Sequence, residues 1–220
     1  MHVVWFKRDL RLHDHEPLHY ALSQNQPVLC LHIIEPDLWQ LPDMSARQFN
    51  FYIESLSDLM DACKKNGFEL CIRIGSVETI LHQLNQSTPI RRLISHQETW
   101  NDWTYKRDIS IKKWCHSHQI EWVEFAQFGV VRKLKNRDGW STHWNKQMNQ
   151  SLIHNTTFHS IISKPSDKLP NQSELNIGVD TCQYRQLGGR KKALNYIASF
   201  FEDRGCFYTK EMFVVLKTVG

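Results

Sequence analysis

The sequence predicts an α/β fold: a doubly wound, five-stranded parallel sheet of the flavodoxin or Rossmann kind, followed by a linker and a short helical remnant. Short apolar runs alternate with helical patterns five times within the first 150 residues. The apolar runs are nearly continuous, which is typical of strands that are covered on both faces of a sheet. Alternation of strands and helices in this way builds a parallel sheet with helices on both sides.

Each element is predicted from its own residues. The five predicted strands are 3–6, 28–34, 69–74, 91–95 and 121–125. The helices that follow them are predicted at 14–24, 45–66, 76–86, 101–119 and 137–150. The second helix is the clearest, because Ser45 and Gln48 form a capping box at its start and Gly67 suits the position after its end. Helix 101–119 carries Tyr105 and Ile109 opposite its main apolar stripe, so we expect it to be buried on two sides.

Three segments follow from the change in composition along the chain. Residues 1–150 form the predicted α/β domain, and residues 151–188 carry the Pro, Asn and Ser clusters of a linker. A helical pattern returns over 190–204, so residues 189–220 are predicted to begin a second, helical unit.

Composition excludes several classes of protein. The chain has 220 residues, 41% hydrophobic residues and a formal net charge of +4, which excludes disordered and collagen-like chains. No apolar run reaches the roughly 18–20 residues of a membrane span, so we expect no membrane partner. Six cysteines without a CxxC pair predict buried thiols and a cytoplasmic location. The mild positive excess, including the basic run 132–137, is typical of a solvated surface or of phosphate contacts.

Common nucleotide and metal motifs are missing. The sequence contains neither GxGxxG nor GxxxxGK[ST], and it has no GxSxG elbow. The runs 13–15 and 116–118 each hold two histidines, but neither has an evident partner on a second element. We therefore expect no metal site.

Ligands of open parallel sheets bind beyond the carboxyl ends of the strands. The candidate binding residues in those loops are Lys7, Arg8, Glu35, Trp39, Glu98, Trp100, Asn101 and Asp102. The two tryptophans could stack on a flat, polar heterocycle, and the carboxylates and the amide could accept its N–H groups. The alternative is that these are ordinary solvated loop residues with partly packed aromatic rings.

Longer motifs resemble one family. Residues 5–18, WFKRDLRLHDHEPL, closely resemble the opening motif of the photolyase/cryptochrome family, and residues 98–108, ETWNDWTYKRD, resemble its motif after the fourth strand. Residues 129–132 and 137–140 are similar to the bacterial branch closest to class III photolyases and plant cryptochromes. Residues 188–190 and 204–212 resemble the start of the family's flavin domain. The chain thus resembles the N-terminal α/β antenna domain of a bacterial deoxyribodipyrimidine photolyase-like protein.

The resemblance implies cofactors, a partner and residue roles. An antenna chromophore is expected here, 5,10-methenyltetrahydrofolate rather than 8-hydroxy-5-deazaflavin, and FAD only in the full-length protein, where a helical domain binds UV-damaged DNA. Asn101 and Asp102 fall where relatives hold a folate, and Tyr208 falls near a tyrosine that touches the FAD phosphate. Lys7 and Arg8 match the loop after the first strand. No catalytic residue is expected in this chain.

The resemblance also predicts what this chain lacks. Family members run to about twice this length, and residues 213–220 do not match their continuation. We therefore expect the antenna half of a photolyase for cyclobutane pyrimidine dimers, which cannot repair DNA by itself. The apolar face of helix 190–204 is expected to be exposed, and a homodimer could form through it. The alternatives are a cryptochrome-type blue-light sensor or interaction module, and a stand-alone α/β domain that binds a small nucleotide.

Overall fold

A single five-stranded sheet forms the centre of the computed structural model, which describes residues 1–154 and 157–208. The strands are β1 (His2–Phe6), β2 (Val28–Ile34), β3 (Cys71–Ile74), β4 (Arg92–His96) and β5 (Glu121–Phe125). Every pairing is parallel, and the strand order is β3-β2-β1-β4-β5. The α/β prediction is therefore confirmed, and the order is the Rossmann one.

Seven helices accompany the sheet within residues 1–154 and 157–208. They are α1 (Glu16–Ser23), α2 (Pro36–Trp39), α3 (Ala46–Lys65), α4 (Val77–Ser87), α5 (Asp102–Ser117), α6 (Trp140–Met148) and α7 (Arg190–Glu202), followed by a 3-10 turn over Arg204–Phe207. Strands β1 and β2 are buried along their whole length, because α1 and α3 cover one face of the sheet and α4 and α5 cover the other. The continuous apolar runs that predicted these strands follow from this double coverage.

The start of α3 agrees with the sequence prediction, whereas α1 and α6 begin later than predicted. Helix α3 is capped by Ser45 as predicted, and Gly67 after its end has φ of 81°. Helix α1 begins two residues later than predicted, because Asp14 takes φ of 51° and the ring of His15 caps the helix instead. Helix α6 begins three residues later than predicted, after Gly139 with φ of 72°.

No described residue covers the second apolar side predicted for α5, so a neighbouring helix of this chain does not bury it. Tyr105 is 59% exposed and Ile109 39% exposed, whereas Ile111 and Trp114 pack on the sheet. Only one face of α5 is covered among the described residues.

The segment predicted as a linker runs along the open edge of the sheet. In its described part it forms no helix, and Ile161 makes an isolated parallel bridge to Val28. Ser166 Oγ accepts the backbone N–H of Ile72 at 2.9 Å, and an Asp167 carboxylate oxygen accepts that of Ile74 at the same distance. These contacts cover the edge of β3, which would otherwise expose unpaired backbone groups.

The predicted helical unit at 189–220 is described as far as Tyr208. Residues 209–220, with the end of the flavin-domain motif and the unmatched tail, lie outside the described residues. Among the described residues, no helix combines the length and the apolar character that crossing a membrane requires.

Candidate pigment-binding site

A cavity of about 650 Å³ lies above the carboxyl ends of β1 and β2. We call it the chamber. Its side wall comes from α3, and the first turn of α7 closes the far side. Six of the eight predicted binding residues line it: Lys7, Arg8, Glu35, Trp39, Glu98 and Trp100. The topology therefore brings together loop residues that are up to 93 positions apart in sequence, from Lys7 to Trp100.

The other two predicted binding residues lie outside the chamber. The Asn101 Oδ1 atom accepts the backbone N–H of Thr104 at 3.0 Å and so caps α5, and its Nδ2 donates to Asp43 at 3.2 Å. Asp102 is exposed and pairs with Lys106 at 2.6 Å. In this structure both side chains stabilise the first turn of α5.

Aromatic rings form the apolar lining of the chamber. The ring centroid of Trp39 lies 4.9 Å from that of Tyr52 and 5.0 Å from that of Phe49. On the opposite side the Arg8 guanidinium lies 4.0 Å from the centroid of Trp100, a cation–π contact. Flat aromatic surfaces of this kind suit a planar heterocycle.

A neutral Tyr–His pair provides one polar group of the lining. His32 Nε2 lies 2.5 Å from Tyr52 Oη, and His32 Nδ1 lies 2.9 Å from the Phe6 carbonyl oxygen. Burial lowers the pKa of His32 to about 4 and raises the pKa of Tyr52 well above its usual value. The ring thus donates Nδ1–H to Phe6 and accepts the Tyr52 hydroxyl, which leaves the lone pairs of Tyr52 for a ligand donor. Tyr52 lies inside the predicted helix 45–66 and not in a loop after a strand, so it was not among the predicted binding residues.

A buried arginine forms the floor of the chamber. Arg107 donates to Glu35 at 2.7 Å, to Glu98 at 2.5 Å and to Asp108 at 2.8 Å. Burial disfavours its charge, but the three carboxylates outweigh that cost and raise its pKa. Lys7 pairs with the other oxygen of Asp108 at 3.0 Å and Arg132 lies 3.8 Å from the same oxygen, so the acids of the floor share three cations.

Glu35 is the carboxyl group of this network whose charged form is disfavoured. Burial raises its pKa to about 7, since the attraction of Arg107 is offset by the neighbouring charges of Glu98 and Asp108. Glu35 and Arg107 also line a second cavity of about 560 Å³ between the starts of α4 and α5. The salt-bridge network therefore separates the two cavities. Glu35 was among the predicted binding residues, but Arg107 was not. Its partners Glu35 and Glu98 are 72 and 9 residues away in sequence.

A buried carboxylate holds the loop after β1. Asp9 lies 2.8 Å from His15 Nε2 and 2.5 Å from His96 Nδ1, and it accepts the backbone N–H of Lys7 at 2.7 Å. Burial opposes the charge of Asp9, but the two histidines reverse that effect and keep the pKa of Asp9 well below its usual value.

The same three side chains could be read as a metal site, because their ligand atoms lie within 4.8 Å of one another. However, His15 Nδ1 accepts the N–H of Leu18 at 3.1 Å, which places the ring proton on Nε2 facing Asp9. Direct separations of 2.5 and 2.8 Å are hydrogen-bond lengths and are shorter than those between two ligands of one ion. We interpret Asp9, His15 and His96 as a buried polar network that fixes Lys7 and Arg8 at the chamber: His96 and the Lys7 N–H form hydrogen bonds with Asp9, and His15 Nε2 makes a close polar contact with it.

The mouth of the chamber is positive. Arg8, Arg11 and Arg190 line it, and none of them pairs with a carboxylate among the described residues. The acids deeper in the chamber are already paired. An anionic tail on a ligand would therefore meet free cations at the mouth.

Residues 185–190, which we call the strap, fasten the start of α7 to α3. Glu54 forms a salt bridge with Arg185 and accepts the backbone N–H of Gly188 at 2.7 Å. Ser55 Oγ accepts the N–H of Gly189 at 3.0 Å. A Cβ on Gly188 would lie 2.0 Å from the carbonyl oxygen of Phe51, so only glycine allows this approach.

The predicted flavin contact is not enclosed by the described residues. Tyr208 is 54% exposed, and its ring meets that of Phe200 edge-on at 5.8 Å. It lines neither of the two cavities. One exposed tyrosine could contact a phosphate of FAD but cannot hold the cofactor by itself, so no step of the chemistry of FAD is assigned to the described residues.

Comparisons with known proteins identify the family. Residues 2–135 match the family model for DNA photolyase. The deoxyribodipyrimidine photo-lyase of Salmonella typhimurium is 32% identical over 118 residues, and the chloroplastic/mitochondrial cryptochrome DASH of Arabidopsis thaliana is 31% identical over 106 residues. These matches cover 51% and 46% of this chain, but only 24% and 19% of the relatives. The chain thus matches about a quarter or less of each relative.

Solved structures show the same fold. A cryptochrome of a Synechocystis species aligns over 96% of this chain and 48% of its own, with a TM-score of 0.73 and 20% identity. A class III photolyase of Agrobacterium tumefaciens aligns over 91% of this chain and 44% of its own, with a TM-score of 0.64 and 19% identity. A Sulfolobus tokodaii photolyase, described with two FAD molecules and a novel light-harvesting cofactor, aligns over 89% of this chain and 45% of its own at a TM-score of 0.62 and 24% identity. With the family model matching more than half of its length, the chain belongs to the DNA photolyase family, as an N-terminal α/β part.

Proposed function

We propose that this chain is the light-harvesting domain of a DNA photolyase that repairs cyclobutane pyrimidine dimers with blue light and FAD, and that its antenna pigment binds in the chamber. The observation that carries the proposal is the chamber itself, at the carboxyl ends of β1 and β2. This is where sheets of this order bind their ligands. Its volume of about 650 Å³ suits an organic cofactor.

The lining fits a flat pigment with an anionic tail. Trp39 and Tyr52 would stack on the pigment, and the Tyr52 hydroxyl oxygen would accept one of its N–H groups. Arg8 and Arg190 at the mouth would bind its anionic tail. A bound antenna would absorb near-ultraviolet or blue light and pass the excitation to a flavin. The light-harvesting cofactor of the Sulfolobus tokodaii relative supports this role by analogy.

The residues of the chain orient the pigment and exclude water. The network of Arg107, Glu35 and Glu98 closes the floor, and the strap closes the side next to α7. Asp9 holds the backbone of Lys7, which keeps Arg8 over Trp100. A rigid, water-poor chamber limits the motions that would quench an excited pigment.

We keep 5,10-methenyltetrahydrofolate as the first pigment to test and 8-hydroxy-5-deazaflavin as the second. The glutamate tail of the folate is anionic, and the arginines at the mouth could bind it, whereas the ribityl chain of the deazaflavin is uncharged. Asn101 and Asp102 hold the start of α5 in this structure, so a folate in the chamber would not need them. If the folate lay at Asn101 and Asp102 instead, it would need a second surface to cover it.

Titration of the 220-residue chain with each pigment, followed by near-ultraviolet and blue absorbance, tests the proposal. We expect a saturable, red-shifted pigment band that Trp39→Ala weakens by about tenfold in Kd, or about 1.4 kcal/mol. The matched control is Asn101→Ala, which should leave the affinity unchanged. A loss of binding in Asn101→Ala with normal binding in Trp39→Ala would move the site out of the chamber. No binding of either pigment would refute the antenna role and favour a stand-alone nucleotide binder.

A cryptochrome-type sensor is the second candidate function, because cryptochrome DASH proteins are among the relatives. Both functions share the chamber. Light-dependent dimer repair by a protein that contains this domain together with a flavin domain separates them: repair activity supports the photolyase, and its loss with a retained light response supports the sensor. This chain alone is expected to show neither stoichiometric FAD nor repair.

We further propose a homodimer through α7 and a cytoplasmic location. Leu194, Ile197 and Phe201 of α7 are exposed, and all six cysteines are free thiols, which suits a reducing compartment. Sedimentation of the chain with and without Ile197→Asp tests the dimer. A wild-type chain that stays monomeric at high concentration would refute it.

A further inference from the structure

The positive charge of the chain is concentrated in one exposed segment. Residues 126–150 carry five Lys and Arg side chains against one Asp, an excess of four that equals the net charge of the whole chain. The rest of the chain is therefore neutral overall. Nearly every residue from 132 to 150 is exposed. We call residues 126–150 the basic–aromatic segment.

Four of the five cations have no acidic partner among the described residues. Arg132 turns inward, where it pairs with Glu124 at 3.1 Å and donates to the Glu98 carbonyl oxygen at 2.8 Å. The cations that remain are Lys133, Lys135, Arg137 and Lys146. Unpaired cations that are close in sequence repel one another, so a polyanion that neutralises them would bind with a favourable electrostatic free energy.

A rigid aromatic platform lies beside these cations. The rings of Trp140 and Trp144 stack with centroids 5.5 Å apart, and they are 40% and 38% exposed. Trp140 Nε1 donates to the Gly129 carbonyl oxygen at 3.2 Å. Trp144 packs directly on Gly129, where a Cβ would lie 2.1 Å from its ring. These two rings are held in place yet keep free surface. Phe128, in the same segment, is also exposed.

We propose that the basic–aromatic segment is a binding site for single-stranded DNA, separate from the pigment chamber. The lysines and Arg137 would follow the phosphates, and unpaired bases would stack on Trp140 and Phe128, the combination that single-strand binding proteins use. Duplex DNA fits less well, because its bases are already stacked and cannot reach the rings. The site is independent of the pigment, since it shares no residue with the lining of the chamber.

Fluorescence anisotropy with a labelled thymidine strand of about 15 nucleotides tests the charge contacts in the 220-residue chain. We expect the triple variant Lys133→Gln/Lys135→Gln/Arg137→Gln to weaken binding by at least about tenfold and to reduce the slope of log K against log salt by about 2. The matched control is Lys64→Gln/Lys112→Gln/Lys113→Gln, which removes the same charge from exposed positions elsewhere. Equal losses in both variants would refute a local site.

Ligand variants test the stacking contacts without changing the protein. An abasic strand of the same length and charge should bind about tenfold more weakly, because each base stacked on an aromatic ring contributes about 1–3 kcal/mol. A duplex of the same length should also bind more weakly than the single strand. Equal binding of the abasic strand or of the duplex would overturn the proposal in favour of a non-specific polyanion surface, and tighter binding of a uridine strand would assign the surface to RNA.

Discussion

Glu35 is a carboxylate that the folded chain holds at an unfavourable position. Its pKa is raised from 4.5 to about 7, first because it is buried and then because Glu98 and Asp108 share the single guanidinium of Arg107 with it. A difference of this size between the folded and the unfolded chain corresponds to about 3 kcal/mol. This cost is absent when Glu35 is protonated and present when it is charged.

The sign of the pH dependence follows from the raised pKa. Below the unfolded pKa, Glu35 is neutral in both states and does not reduce stability. As pH rises from 4.5 to about 7, the unfolded chain releases the Glu35 proton before the folded chain does, so the free energy of unfolding falls over this range and then levels off. Gln at this position resembles the protonated acid in shape and hydrogen bonding. Glu35→Gln should therefore be more stable than the wild type by about 2–3 kcal/mol at alkaline pH, and nearly equal to it in mild acid.

Urea unfolding followed by far-ultraviolet circular dichroism, between about pH 5 and pH 8.5, measures this difference. Glu69→Gln serves as the matched control, because Glu69 is exposed and its removal should give the same pH profile as the wild type. Parallel profiles for Glu35→Gln and the wild type would refute the reasoning. So would a Glu35→Gln variant that is less stable at alkaline pH, since the Arg107 pair would then outweigh the burial.

Three further predictions concern packing around the chamber. Gly188→Ala should displace the strap, because its Cβ would lie 2.0 Å from the Phe51 carbonyl oxygen; we expect pigment affinity to fall by about tenfold, whereas Gly178→Ala, with open space around its Cβ, should bind pigment normally in the same absorbance titration. Asp9→Asn should lower the free energy of unfolding by about 3 kcal/mol in urea titrations, because two buried histidines lose their carboxylate partner; a change below about 1 kcal/mol would contradict the network. Leu56→Ala should destabilise the chain by about 2–5 kcal/mol in the same assay, since this fully buried side chain fills the core between α3 and the sheet.

The strands of the sheet could be predicted because each one is visible in its own short stretch of sequence. Each strand is a continuous apolar run, the pattern of a strand whose two faces are both covered by helices. The start of α1 could not be predicted in this way. Asp14 is the better capping residue by type, but its carboxylate accepts the N–H of Ile153, 139 residues away, and its backbone turns to positive φ. The His15 ring then becomes the cap.

The candidate site was predictable only as a set of loops. Because ligands bind beyond the carboxyl ends of parallel strands, Lys7, Arg8, Glu35 and Glu98 were predicted as binding residues, and all four line the chamber. The same rule also selected Asn101, which lies in a loop after a strand but uses its amide to cap α5. Arg107 was missed because two of its carboxylate partners, Glu35 and Glu98, come from the loops after β2 and β4 and reach it only after the sheet has formed.

The strap has a consequence for how the protein is made. The sheet and its four covering helices are complete by residue 125, but one wall of the chamber comes from residues 185–193. A growing chain folds from its N-terminus, so the nascent sheet emerges with an open cleft. A ligand of the chamber can be enclosed only after the last of these residues has left the ribosome and docked on Glu54 and Ser55. If the chamber binds the proposed pigment, loading of that pigment is therefore a late step in the biogenesis of this domain.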